Sequence, residues 1–288
     1  MKRIVVPTDF SGCALSALKV AALISKKVNA VISIVHTYEL PIYGFTDGLV
    51  MYDGAEVGKI KEELSLELDK LSKLDFLKSV DVETYLLTDY DVAQITDHEN
   101  LKNTDLIVMG THGVSGWKED FVGSNTEQVV RKVDCPVLAI REEAGDHFNP
   151  NKIVFASNFY REVYERFPTI KAFAELFEAE IILLRINTVT DFESTTYSEI
   201  LMNDFKDRFE LKDAPINIFD AHSVEEGVLT FANLIGADLI AMETHGRRGL
   251  NHFFNGSIAE DLANHSTIPL LTFKIKKPER PKGVIFPE

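Results

Sequence analysis

Two stretches of the chain place glycine, histidine and serine at matching intervals. "GTHGVSGWKEDFVGS" runs from Gly110 to Ser124, and "ETHGRRGLNHFFNGS" runs from Glu243 to Ser257. In the first, Gly110 and Gly113 are followed, after a nine-residue spacer, by Gly123 and Ser124. Glycines let backbone approach a ligand closely and adopt positive φ without steric penalty. A helix starting after Gly123-Ser124 would offer free N–H groups and the positive end of its dipole. Such parts make an anion cradle suited to a nucleotide, although the spacing is neither a P-loop nor a dinucleotide fingerprint. The plainer reading is that the glycines serve turns alone.

Asp9, closing the opening segment "KRIVVPTDF", adds a carboxylate that can accept hydrogen bonds from ribose hydroxyls or an adenine amino group. It could instead cap the next helix. His112 and His245 sit in matching THG turns and read as turn or ligand-flanking residues rather than catalysts. Cys13 and Cys135 read as small buried hydrophobes. No Cys/His cluster has metal-ligand spacing and no nucleophile elbow is present.

These residues recur because the chain is a repeat. His112 and His245, Gly123 and Gly256, and Pro136 and Pro269 each stand 133 apart. "KRIVVPTDF" resembles "NKIVFASNF" at an offset of 149, so the first half carries about 16 more residues, assigned to the loop from Tyr38 to Gly54. That loop, with Tyr38, Tyr43, Phe45 and Tyr52, could be a lid over the ligand, a partner surface or a packed excursion. A polar, turn-forming boundary falls between Arg141 and Lys152, giving domains over 1–145 and 146–288.

Within each half, apolar runs alternate with helical periodicity. In the first half, strands are expected at Ile4–Pro7, Ala30–Val35, Val82–Leu87, Leu106–Gly110 and Pro136–Ile140. Helices are expected over Ser11–Lys27, with Ser11 as N-cap, around Val57–Leu71, briefly near Asp91–His98, and after Ser124. The second half repeats the strands near Ile153, Ile181, Ile216, Leu239 and Pro269. Continuous Val/Ile/Leu strands separated by helices mean a parallel sheet covered on both faces, so each half reads as a doubly wound α/β domain of five strands. Ligands of such sheets bind beyond the carboxyl ends of the strands, which is where Asp9 and Gly110 fall.

At 288 residues the chain suits two ordinary domains, and 45% hydrophobic residues supply their cores. A formal net charge of −15 argues against nucleic-acid binding. No signal segment or membrane-length apolar run is visible, and two cysteines make no disulfide framework, so a cytoplasmic protein is expected.

The G-x2-G-x9-G-[ST] pattern after "IVVPTDFS" resembles the universal stress protein family, over essentially the whole chain as two tandem domains. The resemblance implies an adenine nucleotide alpha hydrolase-like fold with strand order 3-2-1-4-5. It implies ATP, with a divalent cation such as Mg bridging the phosphates, held by Asp9, by the backbone of Val35, and by Gly110, Gly113, Gly123 and Ser124. It also implies pairing of two domains through their fifth strands, here within one chain; a homodimer of tandem chains stays open. The expected role is an ATP-binding stress-response regulator. The alternatives are a scaffold acting through protein partners and a slow ATPase, for which no general base can be named. In the second half Asn158 replaces the aspartate and Glu243 replaces the first motif glycine. ATP binding there is expected to be lost or weak, with Glu243 filling the phosphate space or repelling the phosphates.

Overall fold

The computed structural model describes residues 1–40, 44–46, 49–51, 54–111, 124–145, 147–245, 262 and 266–275. Gly113, Gly123, His112, Gly246, Gly256 and Ser257 lie outside the described residues, as do Tyr43 and Tyr52 of the first-half loop.

The first half opens with β1 (Arg3–Pro7) and α1 (Gly12–Val28), whose N-cap is Ser11; its hydroxyl accepts from Ala14 N. β2 (Val31–Tyr38) is followed by a short hairpin of β3 (Gly44–Thr46) and β4 (Leu49–Met51), then by α2 (Gly54–Ser72). The hairpin thus falls in the loop that carries the first half's extra length. β5 (Val82–Thr88) leads into a 3-10 turn over Val92–Asp97, where the spacing had suggested a short helix. β6 (Leu106–Gly110), α3 (Ser124–Lys132) and β7 (Val137–Ile140) complete the half.

The second half repeats the plan with β8 (Lys152–Ala156), α4 (Phe167–Phe177), β9 (Glu180–Asn187), α5 (Thr195–Phe209), β10 (Ile216–Asp220), α6 (Val224–Ile235), β11 (Leu239–His245) and β12 (Leu270–Ile275). One register relation ties the halves together. Pro7 pairs with Val35, and Ala156 pairs with Leu184, so the offset of 149 holds through the second strand.

All ten long strands form one sheet in the order β10-β9-β8-β11-β12-β7-β6-β1-β2-β5. Each half therefore reads 3-2-1-4-5 along its five strands and is parallel throughout. Within this sheet an antiparallel seam joins β12 to β7, with Leu270, Leu271 and Thr272 opposite Ala139, Leu138 and Val137. This seam pairs two strands that would otherwise be edges. Two apolar layers cover the faces. One contains Ile4, Val6, Leu18, Phe155 and Phe205, and the other Val5, Ile107, Val130, Val154 and Phe231. Among the described residues no helix is long and apolar enough to cross a membrane.

Candidate functional site

The residues after β1 and after β8 form the same turn. Thr8 N donates to Val35 O at 2.8 Å, and Ser157 N donates to Leu184 O at 3.1 Å. Phe10 and Phe159 both take left-handed backbone, at φ 63° and 61°. Thr8 Oγ1 accepts from Phe10 N at 3.0 Å, and Ser157 Oγ accepts from Phe159 N at 2.9 Å. Asp9 Oδ1 accepts from Ser11 N, and Asn158 Oδ1 accepts from Tyr160 N. An amide oxygen makes this turn as well as a carboxylate does, so Asp9 and Asn158 are equivalent in building the loop. The helix cap belongs to Ser11, which leaves Asp9 as a turn residue that is also exposed at the carboxyl end of β1.

Val35 is buried, and its carbonyl is engaged by Thr8 N in the ladder. Alternate residues of a strand turn their backbone groups to the same side. Thr37 is therefore the next residue whose backbone faces the β1 side, and it lies past the end of β1. His36, between them, sets Nδ1 2.7 Å from Thr8 O and packs its ring 4.7 Å from that of Phe10.

Gly110 closes β6, and Thr126, in the first turn of α3, donates its hydroxyl to Gly110 O at 2.9 Å. That bond sets the start of α3 against the end of β6, with Ser124 as the first residue of the helix. A Cβ on Gly110 would stand 2.7 Å from Cys13 Cβ and 2.8 Å from Cys13 C. Helix α1 thus packs directly on Gly110, and this contact alone accounts for the glycine.

The second half solves the same contact differently. Cys13 corresponds to Glu162, within a 3-10 turn at Arg161–Val163, and α4 begins only at Phe167. The early turn of α1 has no regular counterpart there. Glu243, at the place of Gly110, occupies the space released and is 2% exposed. Ser157 donates its hydroxyl to Glu243 Oε1 at 2.9 Å, while Oε2 is buried without a hydrogen-bond partner. Burial pushes the Glu243 carboxyl up to about 7 against the opposing hydrogen bonds. The Glu243 side chain thus turns under the β8 loop, while the residues expected to line a phosphate space in this half, Gly246, Gly256 and Ser257, lie outside the described residues.

Arg185, at the place of His36, is 1% exposed. It donates through Nη1 to Asn158 O and sets Nη2 3.4 Å from Glu193 Oε2. Tyr160 donates its hydroxyl to the other oxygen of Glu193, and Asn187 donates its side-chain N–H to the Glu193 carbonyl. The segment after β9 is thereby latched over the end of β8. The space left among Asn158, Arg185, Asp191 and Val224 is about 10 Å³, roughly one water molecule. Sequence reading did not single out Arg185 or Glu193. The register of "IILLRIN" against "VISIVHT" placed Arg185 opposite the Asn158 turn, but an arginine inside an apolar strand carries no motif.

The Universal stress protein family matches residues 1–141 and 169–274. Universal stress protein MJ0531 of Methanocaldococcus jannaschii is 32% identical over 142 residues, covering 49% of this chain and 82% of that protein. Universal stress protein YxiE of Bacillus subtilis is 28% identical over 145 residues, 48% of this chain and 98% of that one. In solved structures, a universal stress protein from Archaeoglobus fulgidus superposes with a TM-score of 0.72 at 16% identity. That match covers 94% of this chain and 98% of that chain. The protein PA1789 of Pseudomonas aeruginosa gives 0.65 at 17%, covering 96% and 93%. The repeat, the two five-stranded parallel sheets and the family match in both halves lead to one conclusion: this chain belongs to the universal stress protein family.

Proposed function

We propose that the chain is an ATP-binding stress-response regulator with domains over 1–145 and 146–288, holding nucleotide in the first half only. The supporting observation is the contrast between two equivalent turns. Asp9 is exposed at the end of β1, whereas Asn158 is capped through its carbonyl by a buried Arg185 that fills the corresponding space. An exposed carboxylate there can accept two hydrogen bonds from a nucleoside. The backbone of Thr37 suits the adenine edge better than that of Val35, whose carbonyl is already engaged. Phosphates would lie at the start of α3, over Gly113, Gly123 and Ser124, with Gly110 serving mainly to seat α1. Among the described residues no group of three or more His, Cys, Asp or Glu could hold a metal ion. A Mg ion would then be held by the phosphates and water. The pairing of β7 with β12 would take the place of a partner chain, and the acidic protein would act in the cytoplasm without binding nucleic acid.

Isothermal titration with ATP and Mg should saturate at about one nucleotide per chain. Asp9→Ala should weaken binding by at least about tenfold, as loss of one or two hydrogen bonds to a charged group implies. Asn158→Ala should leave it unchanged. Two equivalent sites, or an Asp9→Ala chain binding as well as the parent, would overturn the proposal.

A further inference from the structure

Beneath the turn that follows β1 lies an internal cavity of about 60 Å³. Val6 and Ile34, register partners in β1 and β2, form its floor. Ala14 and Leu18 of α1 and Leu71 of α2 form its walls. The cavity lies in the apolar layer that contains Val6, Leu18 and Ile34, whereas Val5 and Val35 belong to the layer on the other face of the sheet. Neither Asp9 nor Val35 lines it, so it is separate from the nucleotide site proposed above.

We propose that this cavity is a binding site for a small apolar molecule, of the size of a xenon atom or a short hydrocarbon. The first support is its volume. A polar cavity of about 10–15 Å³ already holds a water, and an apolar one of about 150 Å³ takes benzene or xenon. At about 60 Å³ the cavity is larger than a water needs and too small for benzene.

The second support is the chemistry of the lining. Its two polar side chains belong to the turn above, and backbone engages both. Thr8 Oγ1 accepts from Phe10 N at 3.0 Å, and Ser11 Oγ accepts from Ala14 N at 3.2 Å. Val6, Ala14, Leu18 and Ile34 are buried and present only hydrocarbon. A buried water needs about two to four polar partners, which this lining does not supply. An apolar guest needs none and gains dispersion contacts on every side. Phe10, part of the roof, is braced by the His36 ring at 4.7 Å.

The third support is the repeat itself. Val6 pairs with Ile34 as Phe155 pairs with Leu183, so the two halves share one backbone frame here. By the offset of 149, Val6 corresponds to Phe155, Ala14 to Val163, Leu15 to Tyr164 and Leu18 to Phe167. The second half has the larger residue at each of these four places. Helix α5, which stands where α2 stands in the first half, adds Phe205. The Phe205 ring lies 5.8 Å from that of Phe155, 4.5 Å from Phe167 and 5.6 Å from Tyr164. The second half thus fills the frame with its own side chains, while the smaller residues of the first half leave room for a guest.

The test uses xenon as the probe, applied as a pressurised gas to the full chain with isotope-labelled Val, Leu and Ile methyl groups. The methyl resonances of Val6, Ile34 and Leu71 should shift and saturate as the pressure rises. Those of Leu183, the counterpart of Ile34 in the filled half, should shift several-fold less. Leu18→Phe, which copies Phe167, should abolish the saturable shift at Ile34. Ala14→Val, which copies Val163, should reduce it and keeps the test decisive if the larger side chain prevents folding. Equal, unsaturated shifts at Ile34 and Leu183 would overturn the proposal. So would an unchanged response in a folded chain carrying either substitution. Magnetisation transfer from water to the Ile34 methyl groups would also overturn it, because that marks water as the occupant.

Discussion

Glu243 is a buried carboxyl standing where the first half of the repeat has Gly110. Its carboxyl is buried, holds one hydrogen bond from Ser157, and is pushed up to about 7 chiefly by desolvation. A carboxyl whose folded value lies above its unfolded value binds more protons when folded. Its contribution is fully present below about pH 4.5 and is lost as pH rises through about 7. The loss amounts to about 3 kcal/mol over that window, at about 1.4 kcal/mol per unit. Glu243→Gln keeps the shape and removes the titration. Denaturant unfolding should find this variant more stable than the parent at pH 8 by about 1–3 kcal/mol, with little difference at pH 4. A parent whose stability is flat from pH 5 to 7.5 would contradict the assignment.

At the level of elements, the two halves differ most in the helix that follows the first strand. Helix α1 runs 17 residues from Gly12, whereas α4 runs 11 residues from Phe167 after a 3-10 turn. The difference follows from the residue beneath. With Gly110 in β6, the backbone at Cys13 can rest on the strand; with Glu243 in β11, it cannot. The second half compensates with aromatic packing. Phe155, Phe159, Phe167 and Phe205 are fully buried on this face, with Phe155 and Phe205 in ring contact with each other and with both Phe159 and Phe167. Gly110→Ala places a methyl group 2.7 Å from Cys13 Cβ, which requires α1 to shift. Overpacking of this kind costs about 1–3 kcal/mol. Urea unfolding should show that loss even in nucleotide-free protein, which separates the packing role of Gly110 from any ligand contact.

For the whole molecule, the seam between β7 and β12 converts two five-stranded sheets into one of ten. Thr272 adds a side-chain hydrogen bond to Val137 O across it, and Phe148 crosses from the connection to Phe177. The halves also share an apolar layer, since Ile140 and Phe273 fall in one cluster. Units coupled through a ladder and a common core should not unfold independently. Scanning calorimetry should give a single transition whose van't Hoff and calorimetric enthalpies agree. Two resolved transitions would show that the seam contributes little to cooperativity.

Local sequence was enough for much of this protein. The alternation of apolar runs and helical stripes placed the ten long strands within a few residues, because burial on both sheet faces leaves Val, Ile and Leu few other arrangements. The Ser11 cap was legible because a short polar side chain bonds to backbone three residues away, whereas the turns made by Asp9 and Asn158 emerged only in the structure. The hairpin of β3 and β4 gave no such signal, since six residues in two short strands carry no usable period. What the tertiary structure decided was the direction and the partners of side chains brought together over long separations. Glu243 meets Ser157 across 86 positions of sequence, Arg185 meets Asn158 across 27, and Gly110 meets Cys13 only because α1 is folded onto β6. A glycine or a glutamate in a motif states which residue is present; whether it faces a ligand or a helix depends on the packing around it.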